Sequence, residues 1–368
     1  MSWNSILKSV FGIAALGVAF GAQAGSNGVK VSVTPEKNML GASEDVVVKV
    51  TITNTSNSPQ YVLKSRTPFE GLTAPLFDIT RDGQKVIYTG ALVKRGKPTA
   101  ADYYLLKPGA SHTVKVELSA LYDLSVTGDY AIRYRTTSPD LFLANNGRFG
   151  GSVDAAAGNM GELESDAASL YIEGRLPRGS GSPIMEALKR PGGDGGVTPM
   201  GLSYANCTAS QQTTVASAIS AAKTMSNGSV SYMSKTTMGP RYTKWFGTAT
   251  TTRVSTVRSH FNAIKDAFDN KNVVVDCGCN QNYYAYVYPT QPYRIYVCKA
   301  FWSAPMTGTD SKGGTLVHEM SHFNVVAGTD DHVYGQSGAA SLAISDPNLA
   351  VQNADSHEYF AENTPALN

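Results

Sequence analysis

Leu316-Val317-His318-Glu319-Met320-Ser321-His322-Phe323 is the stretch on which the reading of this chain turns. Residues four apart share one face of an α-helix, so the imidazoles of His318 and His322 can reach one tetrahedral Zn²⁺ while Glu319 stands beside the fourth, water-bearing position. The flanks agree with a helix. Thr315 is a cap candidate, Leu316, Val317, Phe323 and Val325 offer buried surface, and Gly328 can end it. With six histidines in 368 residues, chance would produce this pattern on the order of once in a few hundred such chains.

A catalytic zinc site usually takes three protein ligands and one water, so a third ligand must come from elsewhere. Six residues past His322, where a metzincin would carry another histidine, stands Gly328. A glutamate from a later helix would be the thermolysin-like solution, and Glu358 or Glu362 could supply it. Asp331 is nearer: a glycine that ends the helix lets the chain fold back, and a carboxylate three residues on can reach a metal bound one turn earlier. Asp330 adjoins it and competes for the role. His332 is either a contact near the site or an ordinary loop histidine. Tyr334 follows Asp331 by three, and a phenol beside the metal can donate to the oxyanion of a tetrahedral intermediate.

Gly328-Thr329-Asp330-Asp331-His332-Val333-Tyr334-Gly335, closely following His-Glu-x-x-His, resembles the aspzincins, the deuterolysin and peptidyl-Lys metalloendopeptidase group, over roughly Cys207 to Asn363. The resemblance implies that His318, His322 and Asp331 bind one Zn²⁺ per chain, that Glu319 is the general base, and that Tyr334 assists the oxyanion. The implied reaction is hydrolysis of peptide bonds in protein or peptide substrates. Asp355 and Glu358, three apart on a last helix, match carboxylates that form an acidic S1′ pocket in the peptidyl-Lys branch, which implies Lys (or Arg) at P1′. Cys277 and Cys279 are too close for an unstrained bridge to each other, so each pairs outward; the resemblance favours Cys207–Cys277 and Cys279–Cys298.

The fold class expected is two domains: an N-terminal all-β immunoglobulin-like sandwich and a C-terminal α+β zincin-like domain. Residues 1–24, with Lys8, an apolar run from Val10 to Phe20 and Ala22-Gln23-Ala24, have the pattern of a signal peptide, which implies secretion and an oxidising compartment. From 25 to 172 short β-branched runs such as Val46–Ile52 and His112–Leu118 alternate with turns, as in a sandwich. Residues 173–202 are rich in Gly, Ser and Pro and read as a linker with a processing site between Arg175 and Ala205. After Cys207 the period becomes helical, with Val254, Val257, Phe261, Ile264 and Phe268 on one stripe and a further helix expected over Thr208–Met225. Val273–Val275, Tyr283–Tyr288 and Tyr293–Val297 read as strands, and Asp346-Pro347 opens a last helix running toward Asn363.

The signal, sandwich and linker look like the pro-region of the bacterial secreted toxic aspzincins, so the chain's own propeptide is the expected inhibitor. A basic residue of that region in the acidic pocket is one way to block the site, but the sequence does not select the loop. A net charge of +2 with 16% charged residues argues against a nucleic-acid partner, no later stretch is apolar enough to span a membrane, and the expected form is a monomer. Two other classes stay in view. A zinc-stabilised extracellular adhesion module would bind metal and cleave nothing, which the intact Glu319 argues against. An immunoglobulin-like periplasmic chaperone would need the first half alone.

Overall fold

The computed structural model describes residues 26–143, 160–189 and 201–368. The signal-like segment and the Gly-rich stretch 190–200 lie outside them.

The N-terminal half is all-β. Val29–Pro35 pairs antiparallel with Val47–Asn54, which pairs in turn with Ser111–Glu117. Val48, Val50 and Ile52 alternate inward and are wholly buried, while Thr51 and Thr53 on the outer face share hydroxyl hydrogen bonds of 2.8 Å with Thr113 and Ser111. A larger sheet runs Met39–Leu40, Ala168–Ile172, Gly128–Ser138, Phe77–Arg81 and Gln84–Lys85, with Gly161–Glu164 along the far end of the long strand. Its Tyr130, Ile132 and Tyr134 meet Val48, Val50 and Ile52 in one core. Each such side chain contributes roughly 1.5–3 kcal/mol by leaving water, and this half holds together without a cysteine.

The expected linker is only partly a tether. Leu176 accepts from Thr127 N–H at 2.9 Å and donates to the Ser125 carbonyl at 3.0 Å, Arg178 pairs with Asp82 and Asp129, and Pro183–Lys189 is a helix. Composition missed this because backbone hydrogen bonds at Leu176 and the pairing of one arginine, Arg178, dock a segment that is otherwise Gly-, Ser- and Pro-rich.

The C-terminal half packs helices on a five-stranded sheet. Gly201–Ala205, Asn272–Asp276 and Arg294–Val297 run parallel, and Ala285–Val287 is antiparallel to the last of them. The outermost strand is Leu92–Lys94, contributed by the N-terminal half, with Lys94 opposite Ala285 and Val93 opposite Tyr286. Helix Thr251–Asn270 buries Val257, Phe261, Ile264 and Phe268 as its stripe requires. Helix Ala209–Met233 begins at a Thr208–Gln211 capping box and outruns its expected end by two turns.

The site helix spans Lys312–His322 and is capped by Ser311, whose Oγ accepts from Gly314 N–H at 2.9 Å; Thr315, the expected cap, lies inside it. Glu362 moves the start upstream by accepting from Ser311 N–H at 2.8 Å and from its hydroxyl at 2.7 Å. Gly314 is required for that approach, since a Cβ there would stand 2.1 Å from Glu362 Oε1. Asp346 does cap at Pro347, with Asn348 and Leu349 N–H donating to it, but that helix stops at Ala350 and a new one runs Ala354–Glu362.

Cys207 is bonded to Cys277 and Cys279 to Cys298, the pairing the family resemblance favours. The first closes a loop of 70 residues, for which chain entropy predicts about 4 kcal/mol. Replacing both Cys207 and Cys277 by serine is expected to lower the unfolding free energy by about that amount in denaturant titrations. A loss below about 1 kcal/mol would mean that the unfolded chain is not constrained by this bond.

Candidate active site

His318 and His322 lie one turn apart on the site helix, their ring centroids 4.8 Å apart, and neither side chain is exposed. Gly328, at φ +59°, turns the chain back so that Asp331 Oδ1 comes within 3.0 Å of His318 Nε2 and 3.5 Å of His322 Nε2. The second nitrogen of each ring faces a protein oxygen. His322 Nδ1 donates to the Thr329 carbonyl at 2.7 Å, and His318 Nδ1 lies 2.8 Å from Asp355 Oδ1. Both partners favour the tautomer that leaves Nε2 free to face the common point.

His318 Nε2, His322 Nε2 and both Asp331 oxygens are buried without a hydrogen-bond partner, as are both Glu319 oxygens. Buried polar atoms left unpaired are costly; a cation among the atoms of His318, His322 and Asp331, with a water beside Glu319, would satisfy them. Two nitrogens and one carboxylate oxygen, all within 4.8 Å of one another, are a donor set that suits zinc with a fourth position open. Burial raises Glu319 to about 7. Burial opposes ionisation of Asp331 as well, yet His322 and His318 hold its carboxyl well below the usual range.

The turn that carries Asp331 is held from two sides. Asn353 Oδ1 accepts from His332 and Val333 N–H at 3.0 and 3.2 Å, which is why the expected last helix breaks at this residue. From the N-terminal half, the Arg66 guanidinium donates to the Asp331 and His332 carbonyls and lies over the Tyr334 ring. A cavity of about 950 Å³ between the halves reaches His322 and Asp331 and is lined on the other side by Arg66, Tyr88 and Glu162.

Asp355 and Glu358 are wholly buried on helix Ala354–Glu362 and turn toward the site. Between them sits Lys94 of the edge strand. Its Nζ is 2.6 Å from Glu358 Oε2 and 3.3 Å from Asp355 Oδ1, with Asp310 at 3.9 Å. Burial alone would push the ammonium down, but Asp355 and Glu358 outweigh it and hold Lys94 well above its ordinary value. Burial pushes the Tyr334 phenol well above its usual range, so its hydroxyl stays protonated; it donates to the Val93 carbonyl at 2.9 Å.

The structure therefore brings His318, Glu319, His322, Asp331, Tyr334, Asp355 and Glu358 together. Asp330 is half-buried, makes its contacts to Gln352 and Ala354 through the backbone, and takes no part in the cluster. Glu362, weighed as a third ligand, is spent on the cap of the site helix. Glu358, weighed for the same role, is absent from the His318, His322 and Asp331 group but shares a second one with His318 and Asp355. His260 and His357 pair at 3.0 Å behind the last helix, where burial pushes them down to about 4 and 3, so both stay neutral. Sequence reasoning missed Lys94, Arg66, Asn353 and the contact of Asp355 with His318. Each acts across a separation of 20 residues or more, where no local pattern marks it.

A buried two-histidine, one-carboxylate set on a His-Glu-x-x-His helix, beside an α+β sheet, defines the class as a metallopeptidase. Comparison with known proteins narrows this. The aspzincin family model, described as lysine-specific metallo-endopeptidase, matches residues 231–362. An extracellular protease of Aeromonas hydrophila is 46% identical over 330 residues, covering 89% of this chain and 91% of its own. A peptidyl-Lys metalloendopeptidase of Armillaria mellea is 37% identical over 362 residues, covering 92% and 95%. A solved zinc peptidase from Grifola frondosa is 49% identical, covers 44% of this chain and 99% of its own, and superposes with a TM-score of 0.42. The chain belongs to the aspzincin family and is a metalloendopeptidase of that type, a family whose members are zinc-dependent.

Proposed function

We propose that this chain is the secreted zymogen of an endopeptidase that cuts on the N-terminal side of lysine, or of arginine, and acts as a monomer. Residues 1–24 are its signal peptide, 25–172 an immunoglobulin-like inhibitory propeptide and 203–368 the mature enzyme, with the processing cut between Arg175 and Ala205. The names of the Aeromonas and Armillaria relatives support secretion and the lysine preference, and the two β-sheets facing across one core support the sandwich.

His318, His322 and Asp331 would hold the zinc, which when bound supplies Lewis acidity and lowers the pKa of water toward about 7. Asp355 and the Thr329 carbonyl orient the two imidazoles. Glu319 takes the proton of the attacking water and passes it to the leaving amine. The Tyr334 hydroxyl donates to the substrate carbonyl oxygen as that oxygen gains charge. Asp355 and Glu358 receive the side chain that follows the cut bond, where two desolvated carboxylates select a cation over a neutral group.

The observation that carries this reading is the convergence of three unpartnered ligand atoms, from His318, His322 and Asp331, one helix away from the Asp355–Glu358 pair. The test is cleavage-site mapping on a peptide library with and without a chelator. Cuts before lysine that vanish on chelation and return with Zn²⁺ are expected. Cuts without a lysine or arginine bias, or cuts that survive chelation, would overturn the reading.

A further inference from the structure

We infer that the N-terminal half closes the active site with a strand held as a substrate is held, Lys94 filling the lysine pocket and the Val93–Lys94 peptide bond standing where a substrate's bond would be cut. The inference rests on the lysine-directed reading above and adds to it the residue and the register by which the chain blocks itself.

Contacts on both sides of one peptide bond carry it. After the bond, the Lys94 ammonium lies 2.6 Å from Glu358 and 3.3 Å from Asp355, over the ring of Tyr284 at 5.2 Å. Before the bond, the Val93 carbonyl accepts from the Tyr334 hydroxyl at 2.9 Å, the contact required of a reacting carbonyl. The main chain agrees. Leu92–Lys94 adds antiparallel to Ala285–Val287, and Tyr284 N–H donates to the Lys94 carbonyl at 3.1 Å. A peptide that extends a sheet edge draws affinity from its backbone hydrogen bonds and specificity from side-chain pockets, which is how an extended substrate is read.

The register is selective. Arg95, the adjacent basic residue, lies over the Tyr283 ring at 4.4 Å and donates to Thr73 at 2.8 Å, away from the acids. A lysine is rarely buried unless paired, and Lys94 is 1% exposed. Because the strand is tethered to the same chain, it competes with free substrate at a high effective concentration.

The test uses the full chain carrying Glu319→Gln, so that it stays uncut, and a fluorescent peptide with a single lysine. Adding Lys94→Gln is expected to tighten binding of this peptide at least 10-fold, while Lys94→Arg leaves the chain closed. Unchanged circular dichroism and zinc content confirm that the variants fold; should Lys94→Gln fail to fold, Lys94→Met, which keeps an aliphatic stem, carries the test. Equal affinities with and without Lys94 overturn the inference alone, provided the peptide binds in preference to its glutamine analogue. A glutamine analogue that binds every chain as tightly as the lysine peptide overturns the lysine-directed reading instead.

Discussion

Glu319→Gln in the processed enzyme is expected to leave zinc bound and to lower kcat/KM by about 10³-fold, within the range typical of a lost general base. Glu319 is wholly buried, neither of its oxygens has a protein partner, and it stands outside the ligand group of His318, His322 and Asp331. Glutamine keeps its shape and volume and removes only the capacity to accept a proton. Zinc content by metal analysis and kcat/KM on a lysine reporter check the two halves of this expectation. Activity above a tenth of the starting value would rule Glu319 out as the base, and loss of zinc would make it a ligand.

Tyr334→Phe is expected to lower kcat by about 10²-fold with little change in KM, as when one oxyanion donor is removed. The hydroxyl donates to the Val93 carbonyl at 2.9 Å, and burial keeps it protonated. A hydrogen bond to a carbonyl oxygen strengthens as that oxygen becomes an oxyanion, so its loss falls on the transition state more than on the bound ground state. The split between kcat and KM is the diagnostic. A rise in KM with kcat unchanged would show that Tyr334 binds substrate and does no more, and a fall in melting temperature of several degrees would point to a structural role.

Much of the site is legible in the sequence because it is local. His318, Glu319 and His322 lie within one helical turn, and Asp331 and Tyr334 follow a turn whose glycine takes a positive φ. Helix Thr251–Asn270 was legible for the same reason, its stripe repeating at three and four residues. The start of the site helix and its cap were not. Glu362 is 51 residues from Ser311, and no spacing rule connects them. Nor was the strand Leu92–Lys94, since three residues on a sheet edge carry no period.

By itself the sequence determined the chemistry: which side chains share a helical face, which carboxylate a turn can return, and where alternating residues must form sheets, all consequences of backbone geometry over a few residues. Tertiary structure alone decided where that chemistry faces. It set Asp355 against His318 Nδ1, put Arg66 on the Asp331 turn, and laid Lys94 between Asp355 and Glu358. These contacts join residues 37 to 265 positions apart. What specifies such a pairing is the burial and charge of the partners once the cores have formed, and neither can be read from the neighbours of any one residue.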